Sequence, residues 1–199
     1  MDNTLLYYEQ HADDFIRMSR GADISGLRHR FLQYVKKKPA RILDFGCGAG
    51  RDTKAFLELG YETEAMDGSA ELCQAASAYT GIPVRQMLFS EFQERDRYDG
   101  IWASASLLHL RFGELPEMFG RLAEALHENG ILYASFKYGE GEKMRGDRFY
   151  TDMTEDSFRV LMEHIPFFTA EDTWISADVV PGREDERWWN MILRKKASK

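Results

Sequence analysis

The chain has 199 residues, of which 44% are hydrophobic and 30% are charged, and its formal net charge at pH 7 is −7. This length allows one substantial hydrophobic core, so a single domain over residues 1–199 is expected. The negative charge disfavours a phosphate backbone as substrate, and nucleic acid is therefore not expected as a partner. No run approaches the roughly 20 apolar residues that span a bilayer, so no membrane segment is expected either.

Two further features of the sequence predict a cytoplasmic protein. The first 15 residues lack the basic and apolar regions of a signal peptide. Cys47 and Cys73 are the only cysteines, and they belong to no CxxC pair or cysteine–histidine cluster. A disulfide framework and a zinc site are therefore not expected, and both thiols are predicted to pack in or near the core. The sequence does not specify an oligomeric state.

The predicted elements begin with two helices and then alternate between strands and helices. Apolar residues at helical spacing predict the two N-terminal helices over residues 4–20 and 23–38. Short apolar strands are predicted at 41–45, 61–66, 82–88, 98–104 and 131–137. The helices between them are predicted at 51–59, 69–79 and 115–126, with Ser69 as an N-cap. This alternation predicts βαβ units and a parallel sheet with helices on both faces.

The last third of the chain departs from this alternation. Residues 139–150 are charged and glycine-rich and are predicted to form a loop, after which Thr154 is predicted to cap a helix. Two strands near 167–178 and 187–194 follow, and because a turn joins them they are predicted to be antiparallel. The predicted fold is therefore an α/β, Rossmann-like three-layer sandwich whose mostly parallel sheet ends in an antiparallel pair.

A glycine-rich turn, DFGCGAGRD, follows the first predicted strand. Its third glycine comes one residue too early for the GxGxxG of a dinucleotide-binding turn, and Arg51 stands where that glycine would be needed. Asp44 precedes the glycines, where a carboxylate would repel a pyrophosphate and attract a cation. S-adenosylmethionine (SAM) carries an ammonium and a sulfonium group. The turn therefore favours SAM over NAD.

A second acid, Asp67, ends the second predicted strand in the sequence EAMD. A carboxylate at this place can accept hydrogen bonds from both ribose hydroxyls of a bound nucleoside. Gly68 and Ser69 follow it and start the next helix. The two acids are thus expected at the same edge of the sheet.

Four segments resemble motifs of the class I SAM-dependent methyltransferases. ILDFGCGAG resembles the first motif of that family and EAMDGS the second, while RYDGIWASASLLHL and LHENGILYASFK resemble the segments of the fourth and fifth strands. The resemblance is strong from Arg41 to about Lys137 and points to small bacterial methyltransferases of the tellurite-resistance-like type. It implies a seven-stranded sheet with an antiparallel last strand, SAM as cofactor and methyl transfer to a small-molecule acceptor.

The resemblance also implies where the cofactor binds. The residues expected to contact SAM are Tyr8, Asp44, Gly46, Cys47, Gly48, Arg51, Asp67, Gly68, Ser69, Met87, Leu88 and Ala103. Met87 and Leu88 occupy a segment in which many relatives carry an acid, so backbone groups are expected to bind the adenine there. The helices of residues 1–38 are expected to cover this site on the α/β core of residues 39–199, with Tyr8 at the SAM carboxylate.

The acceptor is expected beside the end of the fourth strand. Methyl transfer needs alignment above all, and sometimes a base that takes a proton from the acceptor. His109 is the candidate base, although its apolar LLHL context also fits a packed core histidine. Arg148, Tyr150 and Trp188 are the other candidates for substrate binding, and because side chains alternate along a strand Trp188 and Trp189 must face opposite sides. No metal-ligand cluster is visible, and no metal is expected.

Two other functions remain open on the sequence. An NAD-dependent oxidoreductase would use a similar sheet, although the glycine spacing and Asp44 count against it. A non-catalytic SAM-binding protein would share the fold, since a fold does not establish an activity. The nucleophilic atom of the acceptor, whether oxygen, nitrogen, sulfur or a metalloid, is not specified.

Overall fold

The computed structural model describes residues 3–197. Its helices are α1 Asn3–Gln10, α2 Ala12–Arg20, α3 Ser25–Leu32, α4 Arg51–Glu58, α5 Ala70–Thr80, α6 Leu115–Ala125 and α7 Glu155–His164. Its strands are β1 Arg41–Phe45, β2 Glu62–Asp67, β3 Arg85–Gln86, β4 Tyr98–Ala103, β5 Leu126–Lys137, β6 Glu142–Arg145, β7 Arg148–Thr151, β8 Phe168–Ala177 and β9 Arg187–Lys195. The ends of the predicted domain, residues 1–2 and 198–199, lie outside the described residues, and the single-domain organisation stays a prediction.

Seven strands form one sheet in the order β3-β2-β1-β4-β5-β9-β8. Strands β1 to β5 pair in parallel, whereas β9 is antiparallel to both of its neighbours, β5 and β8. This confirms the predicted α/β, Rossmann-like sandwich with a mostly parallel sheet and an antiparallel last strand. Because β1, β2, β4 and β5 run in the same direction, their carboxyl ends lie at one edge of the sheet.

Helices cover the sheet on both faces because the central strands carry apolar residues at successive positions. Ile42 packs on one face in a cluster with residues of α3 and α4. The next residue, Leu43, packs on the opposite face in a larger cluster with α6 and α7. Within the first cluster the rings of Trp102 and Tyr133 stack with centroids 3.9 Å apart. The strands that lead to the carboxyl edge are thereby held rigidly from both sides.

Local chemistry sets where several helices begin. The hydroxyl of Ser69 accepts a hydrogen bond from the backbone N–H of Leu72 at 3.2 Å, which caps α5. Thr154 caps α7 in the same way through the N–H of Ser157 at 3.3 Å. Both predicted caps are confirmed. Within residues 3–197, the helices are too short or too polar for any of them to cross a bilayer.

The N-terminal segment differs from the two long helices predicted over residues 4–20 and 23–38. His11, with φ −121° and ψ 26°, is not helical, so α1 and α2 are separate, and α3 ends already at Leu32. The third predicted strand, 82–88, is also shorter, because only Arg85–Gln86 pairs with β2. Helical spacing does not distinguish one long helix from two consecutive short ones.

The predicted loop over residues 139–150 instead contains a β-hairpin. Strands β6 and β7 pair antiparallel and are joined by Gly146-Asp147, with Gly146 at φ +60°. A glycine at the first position of a two-residue turn is typical of hairpins. The hairpin packs against α1 and against the segment that follows β4. It therefore brings its own side chains to the carboxyl edge of the sheet.

Candidate functional site

A cavity of about 980 Å³ lies at the carboxyl ends of the parallel strands. Residues from α1, α2, the hairpin and the β8–β9 connection complete its walls. Most of the residues predicted for the site line this cavity: Tyr8, Asp44, Gly46, Cys47, Gly48, Arg51, Asp67, Gly68, Met87, Leu88, His109, Arg148, Tyr150 and Trp188. Predicted cofactor and substrate residues thus share one enclosed space.

The side chains of two predicted cofactor residues lie elsewhere. Ser69 is fully buried, and its hydroxyl is used to cap α5. Ala103 packs in the hydrophobic core, while Ser104 and Ala105, which follow it, line the cavity. Ala103 is the last residue of β4, and the cavity is lined by the residues that follow the strand.

Gly46 and Gly48 show why the glycine-rich turn needs glycine. Gly46 has φ +75° and Gly48 has φ +53°, a left-handed conformation that other residues rarely adopt. A Cβ atom on Gly48 would lie 2.9 Å from the ring of Phe15, which belongs to α2. The turn can therefore pass close beneath the N-terminal helices only because it carries no side chain there.

Asp67 fixes the shape of this turn from the end of β2. Its Oδ2 atom accepts a hydrogen bond from the N–H of Gly48 at 2.8 Å, and its Oδ1 atom accepts one from the N–H of Ser69 at 3.0 Å. Burial raises the pKa of the Asp67 carboxyl, and these backbone donors partly oppose the rise. A carboxylate accepts about four hydrogen bonds in all, so both oxygens keep capacity for donors from the cavity.

Asp44 is a buried acid at the base of the turn. It is only 3% exposed, and its Oδ2 atom accepts a hydrogen bond from the Thr53 hydroxyl at 2.6 Å. Burial, reinforced by the nearby charge of Asp52, raises the pKa of Asp44 to about 8. A carboxyl group that is this difficult to ionise gains most from a cation placed beside it. The electrostatics of the turn therefore match a positively charged ligand.

Arg51 lines the cavity, but its guanidinium binds other parts of the protein. It pairs with Asp52 at 2.7 Å and donates to the carbonyl oxygen of Ser19 at 3.1 Å. Arg28 and the indole N–H of Trp102 also donate to Asp52, at 2.5 and 3.1 Å. Burial by itself would raise the pKa of Asp52, but the two arginines hold that pKa below its usual value. No pattern in the sequence indicated this buried cluster, and cofactor binding by Arg51 stays a prediction.

His109 lies between the hairpin and the first helix. Its Nδ1 atom is 2.7 Å from the carbonyl oxygen of Phe149, and its Nε2 atom is 3.1 Å from the Tyr8 hydroxyl. A carbonyl oxygen can only accept, so Nδ1 carries the hydrogen and Nε2 of the neutral ring accepts from Tyr8. Burial raises the pKa of Tyr8 well above its usual value, so this group stays a phenol. His109 thus lines the cavity with a defined tautomer.

Trp188 and Trp189 lie on opposite faces of β9, as side-chain alternation predicts. Trp188 lines the cavity and its indole N–H donates to Asp178 at 3.0 Å, whereas Trp189 is buried in the core. Lys137, at the end of β5, pairs with Asp178 at 2.8 Å and also with Glu186. Sequence reasoning missed this ion-paired group, although a lysine that ends the apolar run ILYASF was a usable sign of it.

The two cysteines lie close to the same turn. Cys47 lines the cavity, Cys73 is buried in α5, and both are free thiols. Burial raises the pKa of each thiol, so neither is a reactive thiolate. Across residues 3–197, no three His, Cys, Asp or Glu side chains are grouped so that they could hold a metal ion.

The sequence also matches a model of a known family. That model, described as a methyltransferase domain, matches residues 16–173, well over half of the chain. The chain belongs to this methyltransferase family. Its sheet order and antiparallel last strand are those of the class I SAM-dependent methyltransferases.

Curated relatives of this chain cover it only in part. A ubiquinone biosynthesis O-methyltransferase of Rhodopseudomonas palustris is 31% identical over 97 residues, which is 46% of this chain and 38% of that protein. The chain thus matches less than half the length of this relative. An uncharacterized methyltransferase of Geobacillus kaustophilus is 27% identical over 150 residues, which is 69% of each chain.

Solved structures share the fold of this chain at low sequence identity. The Burkholderia thailandensis 1,6-didemethyltoxoflavin N1-methyltransferase, with 1,6-didemethyltoxoflavin and S-adenosylhomocysteine bound, has a TM-score of 0.74 at 23% identity, covering 96% of this chain and 85% of that one. A SAM-dependent methyltransferase of Methanosarcina mazei has a TM-score of 0.76 at 16% identity, covering 88% and 100%. These relatives do not confirm the tellurite-resistance-like type suggested by the sequence.

Proposed function

We propose that this methyltransferase transfers a methyl group from SAM to a small-molecule acceptor held in the same cavity. The observation that carries the proposal is the continuity of one cavity of about 980 Å³ that reaches from the glycine turn to His109 and the hairpin. Cofactor and acceptor must lie in one space because the methyl group passes directly between them. The family match supports the same reaction.

The residues around the glycine turn fit SAM by their chemistry. Asp44 offers a buried carboxylate to the ammonium group, and Asp67 offers free acceptor capacity to the ribose hydroxyls. Met87 and Leu88 offer apolar surface to the adenine. When bound, SAM supplies a methyl group made electrophilic by its positive sulfur. The pyrophosphate of NAD would meet the carboxylate of Asp44 instead, which disfavours an oxidoreductase.

His109 is proposed to take the proton of the acceptor. Its Nε2 atom is the hydrogen-bond acceptor of the neutral ring and is bonded to the Tyr8 hydroxyl. The acceptor atom forms its bond to the methyl carbon as the carbon–sulfur bond breaks, and that electron pair stays on sulfur. The proton displaced from the acceptor atom moves to Nε2, either directly or through the Tyr8 hydroxyl.

A small acceptor and a cytoplasmic location are proposed on further grounds. The net charge of −7 disfavours nucleic acid. One curated relative is named for ubiquinone biosynthesis, and one similar structure binds 1,6-didemethyltoxoflavin, which supports a small organic acceptor here. The two free thiols support a reducing compartment.

Cofactor binding is tested by calorimetry with S-adenosylhomocysteine, the demethylated product. We expect the wild-type protein to bind it and Asp67→Asn to weaken binding about tenfold or more, because an amide side chain offers one acceptor oxygen where the carboxylate offers two. Asp156→Asn, on an α7 carboxylate that is 84% exposed, is the matched control and should bind as the wild type does. Binding of NAD without binding of S-adenosylhomocysteine would contradict the proposal.

Methyl transfer is tested separately with SAM labelled in its methyl group. The protein is incubated with a bacterial metabolite extract, and labelled products are separated by chromatography. We expect label in at least one small metabolite and none after heat inactivation. A protein that binds SAM tightly but labels no metabolite would support the non-catalytic alternative.

A further inference from the structure

Two arginines reach the acceptor end of the cavity from different elements. Arg148 belongs to β7 of the hairpin, and Arg183 belongs to the β8–β9 connection, here residues 178–186. Both are half-buried and both line the cavity. Over residues 3–197, no carboxylate oxygen lies within 4.0 Å of either guanidinium. The positive charge of both side chains is therefore not neutralised by an ion pair of the described protein.

The surroundings of Arg148 favour the binding of an anion to its guanidinium group. Its guanidinium carbon lies 4.6 Å from the ring centroid of Tyr7 and 5.5 Å from that of Tyr150. These rings hold the cation and remove part of its hydration. The guanidinium carbon also lies 5.8 Å from the ring centroid of Tyr8, and the Nε atom of Arg148 is buried without a hydrogen-bond partner among the described residues. Most of its five N–H donors thus remain for a ligand.

Arg183 is held at the cavity by the connection that carries it. Lys137 pairs with Asp178 at one end of residues 178–186 and with Glu186 at the other. The N–H of Asp178 also donates to the carbonyl oxygen of Glu186 at 3.0 Å. Because Lys137 engages both acids, they do not neutralise Arg183. The Nη2 atom of Arg183 lies 3.4 Å from the sulfur of Met18, which keeps it against α2.

Tyr150, two residues after Arg148 on β7, adds a hydroxyl donor on the same face of that strand. Its residue surface is only 6% exposed, and it lines the cavity. Burial raises the pKa of Tyr150, while the charges of Arg148, Arg145 and Arg183 act to lower it. From the cavity wall its hydroxyl can donate a hydrogen bond to an anionic ligand.

We propose that the methyl acceptor is an organic acid whose carboxylate binds Arg148, Arg183 and the Tyr150 hydroxyl. The inference rests on the proposed function and adds the chemical class of the acceptor. Guanidinium groups match a carboxylate in charge and in planar geometry, and the pair is stronger in a desolvated site. Among the described charged groups of the cavity that make no ion pair, Asp44 and Asp67 then lie at the cofactor end, where a cation binds, and Arg148 and Arg183 at the acceptor end, where an anion binds. The carboxylate is an anchor, and the methyl group goes to a different atom of the acceptor.

The test measures binding of benzoate and its uncharged analogue benzamide to protein saturated with S-adenosylhomocysteine. We expect benzoate to bind in the millimolar range and benzamide to bind at least about tenfold more weakly, because the amide has no charge. Arg148→Gln and Arg183→Gln should each weaken benzoate about tenfold or more. Arg159→Gln, an arginine on α7 that is 70% exposed, is the matched control and should change nothing.

Each contrary result has a distinct meaning. Equal binding of benzoate and benzamide, or no benzoate binding to the wild type, overturns the proposal. SAM also carries a carboxylate, and Arg148 could bind that group instead of the acceptor. In that case Arg148→Gln would lose affinity for S-adenosylhomocysteine but keep its affinity for 5′-methylthioadenosine, which has no carboxylate. This result would also overturn the proposal. Arg148→Lys keeps the charge and guards against a folding defect. A wild type that binds no S-adenosylhomocysteine would instead overturn the proposed function.

Discussion

His109 has its tautomer fixed by one backbone carbonyl, and this makes its role testable. With Nδ1 donating to Phe149, the basic lone pair of the neutral ring lies on Nε2, which points to Tyr8. His109→Gln keeps a hydrogen-bonding amide but removes the basic nitrogen. We expect kcat for methyl transfer to fall about a hundredfold, the usual size of a general-base contribution, with the Kd of S-adenosylhomocysteine unchanged.

The control for this substitution is His164→Gln, on an exposed histidine at the end of α7. It should leave both kcat and Kd at the wild-type values. A rise in the Kd of S-adenosylhomocysteine that accounts for the whole loss of rate in His109→Gln would show that His109 positions the cofactor instead of accepting a proton.

Gly48 combines two constraints that a comparison of glycines can separate. Gly48 and Gly60 both have positive φ, but a Cβ on Gly60 would meet no atom within 4 Å, whereas one on Gly48 would meet Phe15. Gly60→Ala should cost about 1–2 kcal/mol of unfolding free energy from backbone strain. Gly48→Ala should cost more and should also weaken S-adenosylhomocysteine binding. Urea unfolding measures the losses of stability, and calorimetry measures the binding. Adding Phe15→Leu to Gly48→Ala should restore the part of the stability loss that exceeds the loss in Gly60→Ala. Equal losses in the two alanine variants would exclude the contact with Phe15 as a constraint.

Residues in the motifs were more predictable than residues outside them. Asp44 and Asp67 could be assigned to the cavity because each lies at the end of a strand, within two residues of a glycine. Arg183 could not, because it lies in a turn whose sequence, VVPGRED, resembles any exposed connection. Its position depends on Lys137, which is distant in sequence. Sequence patterns predict local structure, whereas the ion pairs of Lys137 with Asp178 and Glu186 form only once the strands are assembled into the sheet.

The β8–β9 connection is held by a buried ion pair, which gives an element-scale prediction. The side chains of Lys137 and Asp178 are 7% and 3% exposed, whereas that of Glu186 is 44% exposed. Lys137→Met leaves the carboxylate of Asp178 buried without its cation and should cost about 3 kcal/mol or more. Glu186→Gln removes the exposed partner and should cost under about 1 kcal/mol. Urea unfolding distinguishes the two, and similar losses would refute the central role of the buried pair.

Two features of the fold, the β6–β7 hairpin and the break between α1 and α2, were not predicted from the sequence. The hairpin of β6 and β7 could not be predicted because its sequence shows no alternation of apolar and polar residues. Two of its charged residues, Lys143 and Arg145, instead form ion pairs with Asp152. The Gly146-Asp147 turn was the available sign of a hairpin. The break between α1 and α2 at His11 carries no proline or glycine, so helix-stop rules could not find it.

At the scale of the molecule, the strand–helix alternation was enough to predict the layers of the fold. Apolar strands of about five to seven residues separated by helices have few arrangements, and a right-handed parallel crossover selects among them. The antiparallel end of the sheet followed from two strands joined by a turn. The distribution of charge in the cavity could not be predicted in this way, because it combines residues of α1, the hairpin and the last connection. That distribution places Asp44 and Asp67 at the glycine turn, Arg148 on the hairpin and Arg183 on the last connection.

Asp44 links this charge distribution to the stability of the whole chain. The pKa of an unfolded aspartate is about 4, whereas burial raises that of Asp44 to about 8 in the folded protein. Between these two pH values the folded state holds a proton on Asp44 that the unfolded state releases. The contribution of Asp44 to the free energy of unfolding is therefore fully present below about pH 4 and is lost as the pH rises through about 8. Asp44→Asn cannot ionise, and its melting temperature should rise relative to the wild type between about pH 5 and pH 8.5. Saturating SAM should reverse the order, because its ammonium group stabilises the ionised carboxylate of the wild type only. Differential scanning calorimetry measures both effects, and a difference in melting temperature that is constant over this pH range would contradict the buried, protonated state of Asp44.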